Sequence, residues 1–158
     1  MASFEEIIQK SIVCLNMTED DGQRVIAAMI DAAARKGVFP GEHKDAVVKA
    51  VLNREFSAST ALPAGIALPH GRTDCVDEIV CVLGIHPRGI AFGAPDNRPT
   101  HIFVLLLVPV TAACNHIQFL AKLSRRLMES SVRNDLMTAQ TWDDVMQTIV
   151  NPSQERNA

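Results

Sequence analysis

Residues 101–108 read His-Ile-Phe-Val-Leu-Leu-Leu-Val, and this nearly unbroken apolar run decides the fold. A strand that is apolar at every position is typical of the centre of a sheet covered on both faces, because it leaves no position for a solvent-facing polar side chain. The run is also far shorter than the roughly 20 residues that a membrane-spanning helix needs. We therefore expect it to form the central strand of a sheet.

Two shorter apolar runs precede this strand. They are Gly-Ile-Ala-Leu-Pro at residues 65–69 and Glu-Ile-Val-Cys-Val-Leu-Gly at residues 78–84. Residues 90–99 contain Gly93, Pro95 and Pro99, which favour a loop between the second run and the central strand. Residues 7–15 fit either a short helix or an edge strand.

Helical periodicity flanks the strand region on both sides. The predicted helices are one capped by Thr18 and ended by Gly37, and others over residues 42–55, 115–128, 131–139 and 141–150. Thr141 followed by Asp144 resembles a capping box at the start of the last helix. This order predicts an α/β fold, a single-domain sandwich of a mixed, roughly five-stranded sheet flanked by helices.

Length and composition exclude several classes of protein. The 158 residues suit one domain, and the hydrophobic fraction of 47% excludes a disordered chain. The net charge of −3 does not fit a general nucleic-acid binder or a polybasic membrane anchor. The N-terminus carries Glu5 and Glu6 where a secretory signal needs basic residues. We expect a cytoplasmic protein with no nucleic-acid partner and no direct membrane insertion.

The four cysteines are Cys14, Cys75, Cys81 and Cys114, and no two of them form a Cys-x-x-Cys pair. We expect reduced thiols that are mostly buried. A zinc site made from some of these thiols with His70 and His116 is possible by residue type, but the spacing is unlike that of a compact zinc finger. A thiol hydrolase pairing Cys114 with His70 is not excluded, although nothing in the pattern favours it.

The most informative stretch for chemistry is Gly-Ile-Ala-Leu-Pro-His-Gly-Arg at residues 65–72. Pro69 is expected to end a buried strand, so that His70 projects from the strand end beside the close-approaching backbone of Gly71. Ligands bind at such strand ends in α/β sheets. The alternative is a turn histidine with a structural hydrogen bond.

His116 is the second candidate, at the expected start of the helix that follows the central strand. Backbone N–H groups at a helix start favour an anion, and a histidine there can share its oxygens; the alternative is a histidine that only packs at that point. Arg54 and Arg72 are candidate phosphate or carboxylate partners, or else exposed surface residues. The remaining histidines, His43, His86 and His101, are interpreted as structural or exposed.

Together these motifs resemble a known family. Arg54-Glu55, Ser59-Thr60 and residues 65–72 are similar to the signature of the fructose/mannitol-type enzyme IIA domains of the bacterial phosphoenolpyruvate-dependent phosphotransferase system. Further similarity follows in residues 89–94, 105–109 and 116–123, so that the resemblance covers roughly residues 5–150. Within the family the chain looks most like the stand-alone nitrogen-regulatory group.

The resemblance implies a function and a set of site residues. His70 would be the phosphoacceptor of a phosphotransferase that works through phosphohistidine, and His116 and Arg54 would stabilise the phosphate. No metal and no cofactor is implied. The phosphoryl donor would be a phosphocarrier protein of the HPr type, and the downstream partner a regulatory target or an enzyme IIB.

One stretch departs from the family pattern. Residues 61–65 read Ala-Leu-Pro-Ala-Gly, with Pro63 at a usual glycine and Ala64 at a usually polar position. We expect a stiffer and less polar pocket rim. Two alternatives to the regulatory protein stay open: a sugar-transport enzyme IIA, and a non-catalytic binding module of the same fold.

Overall fold

A computed structural model describes residues 2–111 and 115–152, with Asn115 described only in its backbone. The helices are α1 Phe4–Gln9, α2 Gly22–Arg35, α3 Lys44–Ser57, α4 Asn115–Met128, α5 Ser130–Thr138 and α6 Trp142–Val150. A short 3₁₀ helix, Gly41–His43, leads into α3. The strands are β1 Ile12–Cys14, β2 Ala61–Leu62, β3 Ile66–Ala67, β4 His70–Thr73, β5 Val80–Ile90 and β6 Thr100–Pro109.

The strands form one mixed sheet with β6 at its centre. β5 lies antiparallel along one edge of β6, while β3 and β4 lie parallel along the other edge. β1 extends the sheet beyond β5, and β2 pairs with β3. The predicted mixed sheet flanked by helices is confirmed, with six strands rather than about five.

β3 and β4 follow one line along β6, interrupted at Leu68 and Pro69. Ile66 is aligned with Ile102 and His70 with Leu106, so the register is the same on both sides of the interruption. Pro69 has no N–H to donate, but its carbonyl accepts a hydrogen bond from the backbone N–H of Leu106 at 3.0 Å. The strand β3 does end before the proline, as expected, but the expectation that His70 projects from the strand end is wrong, because β6 supports the chain through the break and His70 begins β4.

Alternate residues of β6 pack into two different hydrophobic clusters, one on each face of the sheet. Ile102, Val104, Leu106 and Val108 pack in a cluster with α1 and α4–α6, whereas Phe103, Leu105 and Leu107 pack with α2 and α3. Residues 102–108 are almost completely buried, which confirms the predicted central strand. Among the described residues, no helix is both long enough and apolar enough to cross a membrane.

Several boundaries differ from the sequence-based expectation. Asp21 rather than Thr18 caps α2, since its Oδ1 accepts a hydrogen bond from the backbone N–H of Arg24 at 2.8 Å. Residues 7–15 contain both alternatives in turn, the end of α1 and then β1. The capping box at α6 is confirmed, with Thr141 and Asp144 each accepting from the other's backbone N–H at 3.1 Å.

Candidate functional site

Two histidines from distant parts of the sequence face each other at one end of the sheet. The ring centroids of His70 and His116 lie 6.4 Å apart, with the ring planes inclined by 41°. His70 aligns with Leu106, and aligned residues of neighbouring strands point to the same face, here the one covered by α4. His116 lies in the first turn of α4, and both side chains are partly buried. We call these two residues the histidine pair.

The hydrogen bond of His70 determines which of its nitrogens can react. Its Nδ1 lies 2.9 Å from the carbonyl oxygen of Leu68. A carbonyl oxygen can only accept, so Nδ1 carries the proton and donates it in this bond. In the neutral imidazole the lone pair is then on Nε2. The interrupted strand thus provides a carbonyl that orients the ring and makes Nε2 its nucleophilic nitrogen.

Gly71 brings a helix close to the strand on the opposite face. It aligns with Leu107, on the side of the sheet covered by α3. A Cβ atom added at Gly71 would lie 3.0 Å from Cγ2 of Val51 and 3.1 Å from its Cα. Glycine is needed here because the α3 backbone approaches so closely.

Substitution of Gly71 is expected to separate β4 from α3. Gly71→Ala should lower the free energy of unfolding by about 1–3 kcal/mol, the usual cost of overpacking, since backbone atoms of Val51 cannot move aside alone. Chemical denaturation measures the change. Gly41→Ala is the matched control, because a Cβ at Gly41 meets nothing within 4 Å. Equal stability of the two variants would show that the contact with Val51 is not tight.

Arg54 lies in the last turn of α3, one turn beyond Val51. Its Nη1 donates a hydrogen bond to the carbonyl oxygen of Ala58 at 2.8 Å. No hydrogen bond or ion pair joins Arg54 to His70 within the parts of the chain that the structure describes. The structure therefore places Arg54 at the end of α3, the helix that packs against β4, and brings the rings of His70 and His116 together.

The arrangement was compared with known proteins. The family model described as "Phosphoenolpyruvate-dependent sugar phosphotransferase system, EIIA 2" matches residues 6–151. The chain belongs to this family. The enzyme IIA resemblance drawn from residues 65–72 is thereby confirmed, although no comparison tests the roles of the individual residues.

Relatives of this enzyme IIA include both sugar-specific and nitrogen-regulatory proteins. A fructose-specific EIIA component of Haloferax volcanii is 37% identical over 128 residues, which are 79% of this chain and 82% of that protein. A nitrogen regulatory protein of Pseudomonas aeruginosa is 28% identical over 152 residues, which are 96% of this chain and 97% of that protein. The comparisons thus establish the family, and the chain is similar to members of both its sugar-specific and its nitrogen-regulatory branches.

Solved structures show the same fold. Nitrogen regulatory protein IIA-Ntr from Neisseria meningitidis has a TM-score of 0.80 and 27% identity, covering 92% of this chain and 97% of that one. Enzyme IIA for mannitol from Escherichia coli, in complex with phosphorylated enzyme IIB for mannitol, has a TM-score of 0.72 and 23% identity, covering 87% and 93%. The second likeness concerns the fold alone.

Two carboxylates hold the chain on either side of β2 in this enzyme IIA, one at the turn between β2 and β3 and one just before β2. Ala64 and Gly65 both have positive φ, 71° and 80°, and Asp96 Oδ2 accepts the backbone N–H of Ala64 at 2.9 Å. That bond is the main reason why the pKa of Asp96 is below its ordinary value. Glu55 accepts the backbone N–H of Thr60 at 2.9 Å. Sequence reasoning did not single out either carboxylate for this role, although the turn residues around Asp96 were a signal.

Burial keeps two of the cysteine thiols of this enzyme IIA protonated and therefore weakly nucleophilic. Burial raises the pKa of Cys81 to about 12 and also raises that of Cys14, so neither is a thiolate at neutral pH. Cys75 is half-buried, and Cys114 lies outside the described residues. No group of three or more potential metal ligands occurs among residues 2–111 and 115–152.

The other histidines have structural hydrogen bonds. His86 is buried in β5, where its Nε2 donates to the carbonyl oxygen of Glu19 at 2.7 Å and its Nδ1 accepts the backbone N–H of Gly89 at 3.0 Å. His101 Nδ1 donates to the carbonyl oxygen of His86 at 3.0 Å. His43 is exposed beside α3. These positions agree with the interpretation made from the sequence, and the side chain of Arg72 is exposed as well.

Proposed function

We propose that this protein is a phosphoryl relay in which Nε2 of His70 accepts a phosphoryl group from the phosphohistidine of an HPr-type phosphocarrier. The observation that carries the proposal is the bond from Nδ1 of His70 to Leu68, beside His116. A P–N bond forms at Nε2 as the P–N bond of the donor breaks, and Nδ1 keeps its proton. The transfer needs positioning and charge stabilisation more than acid–base chemistry.

The surroundings of His70 supply that stabilisation. We propose that a phosphoryl group on His70 places an oxygen at hydrogen-bond distance, about 2.8 Å, from the ring of His116, whose centroid lies 6.4 Å from that of His70. His116 lies in the first turn of α4, and the backbone N–H groups of that turn are proposed to favour the negative charge of the phosphoryl group. Arg54 is proposed to add a cationic group, because the bond to Ala58 uses only one of its five N–H donors.

Exposed apolar side chains beside the histidine pair suit the docking of a carrier. Ile117, next to His116, is 57% exposed, and Val110, at the end of β6, is 53% exposed. The backbone N–H of Val110 donates to the carbonyl of Thr73, which fixes it beside the end of β4. A docked partner would cover these side chains and exclude water from the transferring group.

Substitution of Arg54 is expected to change the rate of phosphorylation and not the stability of the fold. Arg54→Gln should slow phosphorylation by roughly tenfold or more, because a hydrogen bond to a charged group contributes about 1.5–3 kcal/mol. Stopped reactions analysed by intact mass would give the rate, with Arg35→Gln on the exposed end of α2 as the matched control. An unchanged rate in Arg54→Gln would leave the side chain as a cap for the carbonyl of Ala58.

We further propose a regulatory, nitrogen-type role. The support is the match to a nitrogen regulatory protein over nearly the full length of both chains. Phosphorylation would place about two negative charges among Ile117 and Val110, so a target that binds the apolar rim would distinguish the two forms. A sugar-transport role is the second candidate, favoured by the 37% identity to a fructose-specific component.

One experiment separates the two roles. The protein is first phosphorylated with phosphoenolpyruvate, enzyme I and the phosphocarrier, and the phosphoryl adduct is verified by intact mass. Purified fructose-type enzyme IIB is then added. Retention of the phosphoryl group supports the regulatory role, and rapid loss to the cysteine of enzyme IIB supports sugar transport. Absence of any adduct, with a control acceptor labelled in the same mixture, would indicate a non-catalytic binding module.

A further inference from the structure

A second concave site lies on the α4 face, between α1, the approach to β5 and α4. It encloses about 670 Å³, within the range of small-molecule sites. Its apolar wall contains Phe4, Ile7, Ile79 and Phe119, and the rings of Phe4 and Phe119 are 5.2 Å apart. We call it the α1–α4 cleft. His70 and His116 are not among the residues that line it.

The charges around the cleft are balanced, and two of them retain unused bonding capacity. Lys10 and Glu78, which also line the cleft, pair with each other at 3.5 Å. Lys122 donates to Glu5 at 3.2 Å and lies 4.7 Å above the ring of Phe4, with its side chain 39% exposed. An ammonium has three N–H donors, so this pairing leaves two for a ligand.

Asp77 supplies the opposite charge. The residue lines the cleft and is exposed, and its carboxylate makes no ion pair within the described ranges 2–111 and 115–152. Beside the Lys10–Glu78 pair, the cleft therefore presents one cation with spare N–H donors, Lys122, and one anion without an ion pair, Asp77, next to an aromatic wall. The complementary ligand has a carboxylate for Lys122, an ammonium for Asp77 and an apolar body for Phe4 and Phe119.

We propose that the α1–α4 cleft binds a free amino acid with a large apolar side chain. An amine or a carboxylate with the same body would satisfy only one of the two rim charges. The proposal stands apart from the phosphoryl relay, because binding at this cleft does not depend on transfer at His70. Gln118, Phe119 and Lys122 follow His116 on the same helix, so occupation of the cleft should also be visible at the ring of His116.

The test compares three probes that share one aromatic body: L-phenylalanine, phenethylamine and 3-phenylpropionate. Each is titrated into the isotope-labelled full chain while backbone amide and histidine ring resonances are recorded. We expect L-phenylalanine to shift the amides of Ile79, Phe119 and Lys122 and to bind about two- to fivefold more tightly than either of the others. Equal affinities for the three probes would overturn the proposal, as would shifts confined to the separate groove around Phe56 and Phe92.

Charge-removing variants identify the two contacts separately. Asp77→Asn should weaken L-phenylalanine binding and leave 3-phenylpropionate unchanged, whereas Lys122→Met should weaken L-phenylalanine binding and leave phenethylamine unchanged. Met preserves the apolar stem of the lysine. Asp45→Asn and Lys49→Met, both on exposed positions of α3, are the matched controls. Loss of affinity for all three probes in either cleft variant, with folding intact, would contradict the assigned contacts.

Discussion

His70→Ala should abolish phosphorylation of this protein altogether. The substitution removes the only nitrogen that the proposed relay uses, Nε2 of a ring whose Nδ1 is committed to the carbonyl of Leu68. Intact mass after incubation with phosphoenolpyruvate, enzyme I and the phosphocarrier should show one phosphoryl adduct on the wild type and none on the variant.

The control for this experiment is His43→Ala. His43 is an exposed histidine outside the sheet, so its variant should be phosphorylated at the wild-type rate. Thermal unfolding of His70→Ala should remain cooperative, since the lost side chain is partly buried and makes one hydrogen bond. A phosphoryl adduct that persists on a folded His70→Ala protein would disprove the assignment of the phosphoacceptor.

His116→Ala should have the second-largest effect, slowing phosphorylation by about 10²–10³-fold while leaving its final extent unchanged. This is the usual loss when one group that stabilises developing negative charge is removed from a preorganised site. Quenched time courses analysed by intact mass would give both the rate and the extent. A lower rate with an unchanged final extent would show that His116 stabilises the transferring group, whereas His70 remains the acceptor.

A conservative variant guards against a purely structural explanation. His116→Gln keeps an N–H donor in the first turn of α4 and should recover part of the rate lost in His116→Ala. Similar unfolding midpoints of both variants would show that α4 is still packed on the sheet. If His116→Ala reacts as fast as the wild type, the ring of His116 only fills space beside His70.

Elements determined by local sequence were predicted well. β6 is apolar from Ile102 to Pro109 and buried on both faces there, and α4 coincides with residues 115–128 because its apolar stripe recurs at helical spacing. The sequence did not predict β4, because this strand is defined by its pairing with β6, which no local pattern shows. A proline ends a ladder by local rules, and only the partner residue Leu106, whose N–H binds the carbonyl of Pro69, shows that the line continues.

The site was predictable in its residue types and not in its geometry. Histidines 70 and 116 were singled out by their motifs, but their proximity depends on tertiary structure. His70 lies beside Leu106 of β6, and α4 follows soon after that strand ends. Three further bonds depend on side-chain positions that no local pattern specifies. They join Arg54 to Ala58, Asp96 to the turn before β3, and Glu55 to Thr60 before β2.

The line of β3 and β4 along β6 constrains how this chain can change length. His70 and Gly71 are neighbours in sequence, yet one faces α4 and the other faces α3. Deleting or inserting one residue at the Leu68–Pro69 break would turn every side chain of β4 to the other face. After an insertion the imidazole would take the place of Gly71 against Val51, where a Cβ alone would already be crowded. After a deletion glycine would take the place of His70 beside His116. A substitution in this segment changes one side chain at a time. A single-residue insertion or deletion there moves every side chain of β4 to the opposite face of the sheet.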